Sequence, residues 1–364
     1  MPAIANRTTL GNIIQQSPPI NFADPYEVSW LAGKTILITG GASGFGEGFF
    51  RKWAEHGANV IIGDINDARG KALVAEVRKN TGNQNHHYIH CDVTDWQSQV
   101  DLFRSAAQLS PHKGIDAVVA NAGIAESNAN FEEPLNLDAQ EPPKPNLKTF
   151  EVNLLGVLYT AHLAIFYLPK NPQSSKASPS SVPGPGQRDR HLLLISSVAG
   201  LNPIPGQLLY GVSKHGVVGL FRQMRSTSFR TGIRVNVLCP YFIDTPLIPA
   251  VGRAILAGAG VGKPEDVVDA GTRFMADTRI CGRGLVIGPK VKTNAKGELT
   301  PVLAEDGSGS AAWECYADDF LEVEAFTARM VRLLNAVELS RGWAGWAGDM
   351  VKAVLYPVKA WWSR

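Results

Sequence analysis

The stretch Thr39-Gly40-Gly41-Ala42-Ser43-Gly44-Phe45-Gly46 follows directly on an apolar run, Lys34 to Thr39 (KTILIT), and leads into Phe49 and Trp53. A short apolar run closed by glycine reads as a buried strand. The fourfold spacing then puts Phe45, Phe49 and Trp53 on one face of a helix that ends at Gly57. Strand, glycine turn and helix in that order gather backbone N–H groups at a helix N-terminus, where the dipole favours an anion. Lacking a Cβ, Gly40 allows the sharp turn, Gly44 lets N–H groups approach a pyrophosphate, and Gly46 permits close helix-to-strand packing. Ser43 and Phe45, carried on the same turn, are expected to contact that ligand. The spacing is GxxxGxG, so it matches the general dinucleotide fingerprint by mechanism and not letter by letter.

Outward from this turn the alternation repeats. Strands are expected at 59–62, near 87–90, at 115–120, 191–195 and 234–238, and near 285–287. Helices are expected at 67–79, around 100–107, at 148–166 and at 209–230. Strands that are apolar throughout, with helices between them, require crossovers and indicate a parallel sheet covered on both faces. The fold class is therefore α/β, a doubly wound, Rossmann-like parallel sheet. We expect an N-terminal arm over 1–30, the α/β domain over 31–308, and a helical C-terminal extension over 309–364. Segments 127–146 and 169–190 interrupt the alternation and read as surface insertions. The second, PKNPQSSKASPSSVPGPGQRDR from position 169, is so rich in Ser, Pro and Gly that it is expected to be mobile.

Composition excludes several functions. Lys plus Arg total 35 against 33 Asp plus Glu, a formal charge of +2, and no long basic block occurs, so nucleic acid is not an expected partner. A small molecule is. The cysteines, Cys91, Cys239, Cys281 and Cys315, lie far apart and read as reduced, buried thiols. No apolar stretch of signal-peptide or membrane-span length is evident, which points to a soluble, cytoplasmic protein. His86, His87 and His90 lack a metal-ligand pattern, so no metal is expected. The aromatic tail from Trp343 to Trp362, with Arg341, Lys352 and Lys359, can be read as a peripheral membrane contact. Burial against its own domain or a partner subunit is the favoured alternative.

Two further groups complete the ligand reading. Asp64 stands just past the second strand, where a carboxylate can accept from both hydroxyls of an adenosine ribose and would repel a 2′-phosphate. No Arg or Lys follows it immediately and none sits in the glycine turn, so NAD is favoured over NADP as cofactor. Tyr210 and Lys214 are four apart, hence on one helix face. Ser197 lies upstream, at the C-terminal edge of a strand, where open α/β sheets bind ligands.

Together these segments resemble the short-chain dehydrogenase/reductase family. Its motifs are matched by Thr39 to Gly46, Asn121-Ala122-Gly123, Asn153 in VNLLG, Ser197, and Tyr210 with Lys214, over about residues 33–290. Within the family, GDIN at the second strand looks most like NAD-dependent members related to hydroxyprostaglandin dehydrogenase. The resemblance implies that Asp92 contacts adenine and that Asn121 belongs to the cofactor site. It also implies that Thr245 meets the nicotinamide carboxamide, Asn153 positions a proton-relaying water, and Lys214 bonds the nicotinamide ribose. Tyr241 stands where the family's PGxxxT has Gly. The resemblance further implies a homo-oligomer formed through helices 148–166 and 209–230.

The chemistry explains the residue types on its own terms. Hydride transfer between a carbinol carbon and nicotinamide requires the hydroxyl to lose its proton. Tyr210 can be the base, its phenol expected to be made more acidic by the Lys214 ammonium and the positive ring, while Ser197 polarises the substrate oxygen. The expected activity is NAD-linked oxidation of a lipophilic secondary alcohol, or reduction of its ketone, beneath a segment running from Tyr241 to about Ala276. An NADP-dependent ketone reductase and a non-catalytic dinucleotide-binding scaffold are the alternatives.

Overall fold

A computed structural model of the chain describes residues 9–22, 24–125, 144–204, 206–245, 261–293, 299–301, 309–315 and 327–334, with scattered positions at 138–142 and 336–347. The main unit, Gln15–Ala317, holds the sheet. Its strands are β1 (Thr35–Thr39), β2 (Asn59–Asp64), β3 (His87–His90), β4 (Ala117–Ala120), β5 (His191–Ile195), β6 (Arg234–Pro240), β7 (Gly284–Thr293), β8 (Leu299–Pro301) and β9 (Ser310–Cys315). The order is β3-β2-β1-β4-β5-β6-β7-β8, with β9 also on β7. β1 to β7 run parallel, as the unbroken apolar runs require.

Side-chain alternation divides the core into two layers. Ile36, Ile38, Val60, Ile62 and Val119 face one side, and Leu37, Ile61, Val118, Leu192 and Leu194 face the other. The first layer is closed by helices α1 (Gly44–Glu55) and α2 (Asp67–Thr81), the second by α3 (Trp96–Leu109), the helical run α4 (Lys148–Lys170) and α5 (Leu208–Arg225). Phe49 stacks on Trp53 in α1 with centroids 4.8 Å apart, and both are fully buried. Asn66 and Asp95 cap α2 and α3 by accepting from the N–H of Arg69 and Ser98. α4 is the one helix among the described residues long and apolar enough to cross a membrane, at mean hydropathy 1.5; part of it lies in the second layer.

Four expectations change. Pro264–Ala276, the last part of the segment expected to cover the substrate, is a helix, α6, packed into the core: Val267, Ala270, Phe274 and Met275 are buried in the first layer. It sits so close to α1 that a Cβ on Gly271 would come within 2.4 Å of Phe49 Cε1, and Trp53 Nε1 donates to Thr272 Oγ1 at 3.0 Å. Expected helix 209–230 stops at Arg225 and is followed by a separate turn, Ser228–Arg230. Residues 310–315, placed in a helical extension by the sequence, are strand β9, paired antiparallel to β7 from Gly284↔Cys315 to Ile287↔Ala312. Segment 169–190 is anchored by polar groups where apolar burial is impossible. Asn171 Nδ2 donates to Asp116 Oδ1 (2.8 Å) and to the Asp189 carbonyl (3.0 Å), and Arg190 Nε donates to Ser174 Oγ (2.8 Å).

That anchor joins a buried ion network at the N-terminal edge of the sheet. Asp189 accepts from Arg234 Nη2 at 2.7 Å and Lys34 Nζ at 3.0 Å, with all three side chains at most 1% exposed. Burial works against the Asp189 carboxylate, but the two cations hold it far below the usual range. Burial likewise pushes Lys34 downward.

The second unit comprises residues 1–14 and 318–364. Its described parts are a short helix, Thr9–Ile13, and helical residues 327–334, where Ala328 and Val331 are buried. Most of the aromatic tail lies outside the described residues; Trp343 is 71% exposed. The insertion at 127–146 also falls largely outside them, as does 246–260 of the expected covering segment.

Candidate active site

The topology reverses between β1 and β4, and at their carboxyl ends lies a cleft of about 450 Å³. Gly40, Ser43, Gly44, Phe45, Asp64, Asp92, Asn121, Tyr210, Lys214 and Thr245 all line it. Gly46, Asn153 and Ser197 are not among its lining residues, although Ser197 hydrogen-bonds Tyr210, which is. The sequence reading missed Lys148, Ser196 and the apolar walls Ile65, Val93, Ile124 and Val152. Ile65 and Val93 were findable as the residues after Asp64 and Asp92; Lys148 carries no sequence signal of its own.

The glycine turn owes its shape to three close approaches. Gly40 has φ +64°, and a Cβ there would lie 2.7 Å from Ala122 Cα. A Cβ on Gly46 would meet the Gly40 carbonyl at 2.2 Å. Gly44, at φ +55°, has nothing within 4 Å of its would-be Cβ, so its backbone faces open space. Asn121 braces the turn from β4: its Nδ2 donates to the carbonyls of Thr39 (3.0 Å) and Gly40 (2.9 Å). Asp64 Oδ2 accepts from the Ala42 N–H at 3.0 Å and Oδ1 from the Asn66 N–H at 2.9 Å. An open backbone cradle with a carboxylate beside it fits a dinucleotide, whose pyrophosphate the turn's N–H groups would hold.

At the other end, Ser197 caps a short turn, its Oγ accepting from the Ala199 N–H (3.2 Å) and donating to the Pro240 carbonyl (3.4 Å). It also hydrogen-bonds Tyr210. Lys214 is 4% exposed, with Nζ donating to the Ile195 carbonyl at 3.2 Å and lying 5.6 Å from the Tyr210 ring centroid. Asn153 is fully buried in a π-helical turn, Glu151–Leu155, the kind of irregularity often found at functional sites. Its amide is spent on Ile124, accepting from the N–H and donating to the carbonyl, both at 2.8 Å.

The electrostatics differ from the sequence expectation. Burial pushes the Tyr210 phenol up and only the Ser197 bond opposes it, while burial pulls Lys214 down to about 8. In the chain by itself, then, the ammonium does not make the phenol acidic. The cysteines are free thiols, and Cys91 on the cleft wall is pushed up to about 11 by burial. His86 Nδ1 accepts from the Val60 N–H at 3.2 Å and His90 Nδ1 lies 2.7 Å from Asp67 Oδ1, so both have structural partners.

The family profile described as short chain dehydrogenase matches residues 34–254. Over 295 residues, 77% of this chain and 91% of the relative, the sequence is 37% identical to 5′-hydroxyaverantin dehydrogenase of Dothistroma septosporum. A match at 30% over 224 residues, 61% of this chain and 71% of the relative, is the NAD(+)-named 15-hydroxyprostaglandin dehydrogenase of Mus musculus. The subfamily expectation is thus corrected: the fungal dehydrogenase is matched at higher identity and over more of the chain. Matches carry both cofactor names, among them an NADP-dependent dehydrogenase of Cochliobolus lunatus. Among solved structures, that of gox2181 superposes with a TM-score of 0.56 at 26% identity, over 69% of this chain and 92% of that one.

Proposed function

This chain belongs to the short-chain dehydrogenase family, and from that premise we propose that it transfers hydride between NAD and a lipophilic secondary alcohol or its ketone. It is an NAD(P)-dependent oxidoreductase acting on CH–OH groups. The observation that carries the finer reading is one cleft with a carboxylate, Asp64, at its glycine-turn end and the Tyr210–Lys214 pair at the other. A carboxylate already placed beside the turn favours a ribose carrying two free hydroxyls over a 2′-phosphate. The relatives' names, for a hydroxyaverantin and a hydroxyprostaglandin, support a hydroxyl-bearing organic substrate. So does Tyr241, 37% exposed next to Pro240, which leaves an aromatic ring beside the residue that bonds Ser197.

The bound dinucleotide supplies the hydride acceptor, its nicotinamide ring. Ser197 Oγ holds the substrate oxygen. Tyr210 Oη takes the hydroxyl proton as the carbonyl forms, and returns it in the reverse direction. Lys214, its Nζ 5.6 Å from the Tyr210 ring centroid, brings positive charge near the phenol and would bond the nicotinamide ribose. Its charge and that of the oxidised ring must together overcome the burial that holds the phenol protonated in the chain alone. Asn153, its side chain clamped on Ile124, would position a water on the proton's way out.

We extend the reading to assembly in the cytoplasm as a homo-oligomer. Leu158, Ile165 and Phe166 on α4 and Val212 on α5 are 40–53% exposed, more apolar surface on paired helices than isolated exposure explains. A screen of hydrophobic secondary alcohols against NAD and NADP, followed by reduced-nicotinamide absorbance, tests the proposal. Turnover with NAD supports it, preference for NADP replaces it with a ketone reductase, and a blank across broad chemistry favours a scaffold.

A further inference from the structure

Lys148, the first residue of α4, lines the cleft with Asp92, Val93 and Val152, yet the reaction has no use for it. It stands four residues before Val152, on the same helix face. The wall behind it is fixed. Gln99, fully buried, donates through Nε2 to the carbonyls of Val93 (2.7 Å) and Gly156 (2.9 Å) and accepts from Thr160 Oγ1 (2.8 Å). A Cβ on Gly156 would come within 2.8 Å of Val93 Cγ2, so α4 lies directly against the Asp92 loop.

A lysine in that position works against the helix, because a cation at an N-terminus opposes the macrodipole. Among the described residues it forms no ion pair that would offset this. Its charge nevertheless acts on Asp92 beside it. Burial raises Asp92, but the Thr94 N–H and hydroxyl, and then Lys148, hold it below the ordinary carboxylate range. The Thr94 bonds, 2.9 and 2.7 Å, both fall on Asp92 Oδ1, which leaves Oδ2 to accept from another group.

We propose that Lys148 is a positioning residue for the adenine end of the dinucleotide, its ammonium set against the electron-rich purine while Asp92 accepts from the purine amino group. This rests on the dinucleotide reading above. Adenine is an apolar slab with lone pairs at its edge and π density on its face. Ile65, Val93 and Val152 suit the slab, Asp92 suits the amino donor, and only a cation or N–H donor suits the rest.

The test is binding to the full chain. NADH affinity is read from fluorescence, with AMP and nicotinamide mononucleotide as competitors, for the wild type, Lys148→Ala and Lys148→Arg. The alanine variant should bind NADH and AMP about tenfold more weakly, arginine should restore most of that loss, and the mononucleotide, which lacks adenine, should be unaffected. Unchanged AMP affinity in Lys148→Ala overturns the proposal. So does an equal loss for the mononucleotide, or failure of arginine to rescue, since each marks a merely structural role. If the wild type itself binds neither NADH nor AMP, the dinucleotide reading fails and takes this one with it.

Discussion

The Asp64 carboxylate accepts the Ala42 N–H at 3.0 Å, so the group proposed to select the ribose also holds the phosphate turn in shape. Cofactor choice and turn geometry are therefore coupled. Asp64→Ala should lower NAD affinity more than tenfold without a matching gain for NADP, because the N–H it leaves loses its acceptor. Fluorescence titration with both reduced coenzymes checks this. A clean switch to NADP at wild-type affinity would show the two roles to be independent.

Tyr210→Phe should reduce turnover by about 10²- to 10⁴-fold while coenzyme affinity is essentially kept, since the hydroxyl is the only group removed. Steady-state kinetics paired with a binding titration separates the two. Substantial residual activity would remove Tyr210 from the role of base.

Burial raises Tyr210, so at neutral pH its phenol is mostly protonated and the unprotonated fraction grows about tenfold per pH unit. Alcohol oxidation needs that fraction and should accelerate from about pH 6 upward, while ketone reduction needs the proton and should slow. The rise in oxidation should level off near the point where Lys214, lowered to about 8, loses its charge. A kcat/KM for oxidation that is flat or falling across this interval contradicts the scheme.

Asp189→Asn leaves Lys34 and Arg234 buried without their anion, and should destabilise the fold by about 3 to 5 kcal/mol in urea unfolding. Because the folded-state pKa of Asp189 is depressed, its contribution is present above its unfolded value, about 3.9, and is lost only as pH falls toward the folded one. The gap between wild type and variant should therefore be the same at pH 7 and pH 5. A gap that closes between those values refutes the assignment.

The proposed homo-oligomer should sediment as such in the wild type and as a monomer in Phe166→Glu with Val212→Glu, because like charges would face each other on the α4 and α5 surfaces. A wild type that sediments as a monomer refutes the assembly, and an oligomer unchanged by the substitutions refutes this interface.

What the sequence made legible follows from how locally each feature is specified. The glycine turn, β1 and the Tyr210–Lys214 pair are set within a few residues by backbone sterics or helical spacing. The parallel sheet was readable because its inner strands are apolar on both faces. Lys34 and Asp189, by contrast, are 155 positions apart, and no local pattern joins them. Segment 169–190 has too little apolar side chain to signal order, because its anchoring is polar, through Asn171 and Arg190. Helix α6 opens with a good start signal, Pro264-Glu265-Asp266, yet its contact with Phe49 on α1 lies more than 200 positions away in sequence, beyond the reach of any local pattern. The upward direction of the Tyr210 phenol depends on burial in three dimensions, which spacing does not reveal.

The family profile stops at residue 254, but β7, α6 and β9 all come later. A shortened chain cut at that point would keep every residue assigned to catalysis and still be unusable at the bench. β6, buried along its whole length from Arg234 to Pro240, would become a bare sheet margin, and Phe49 and Trp53 would lose the helix that covers them. Such a fragment should precipitate on expression, so the smallest soluble version of this enzyme extends at least through Cys315.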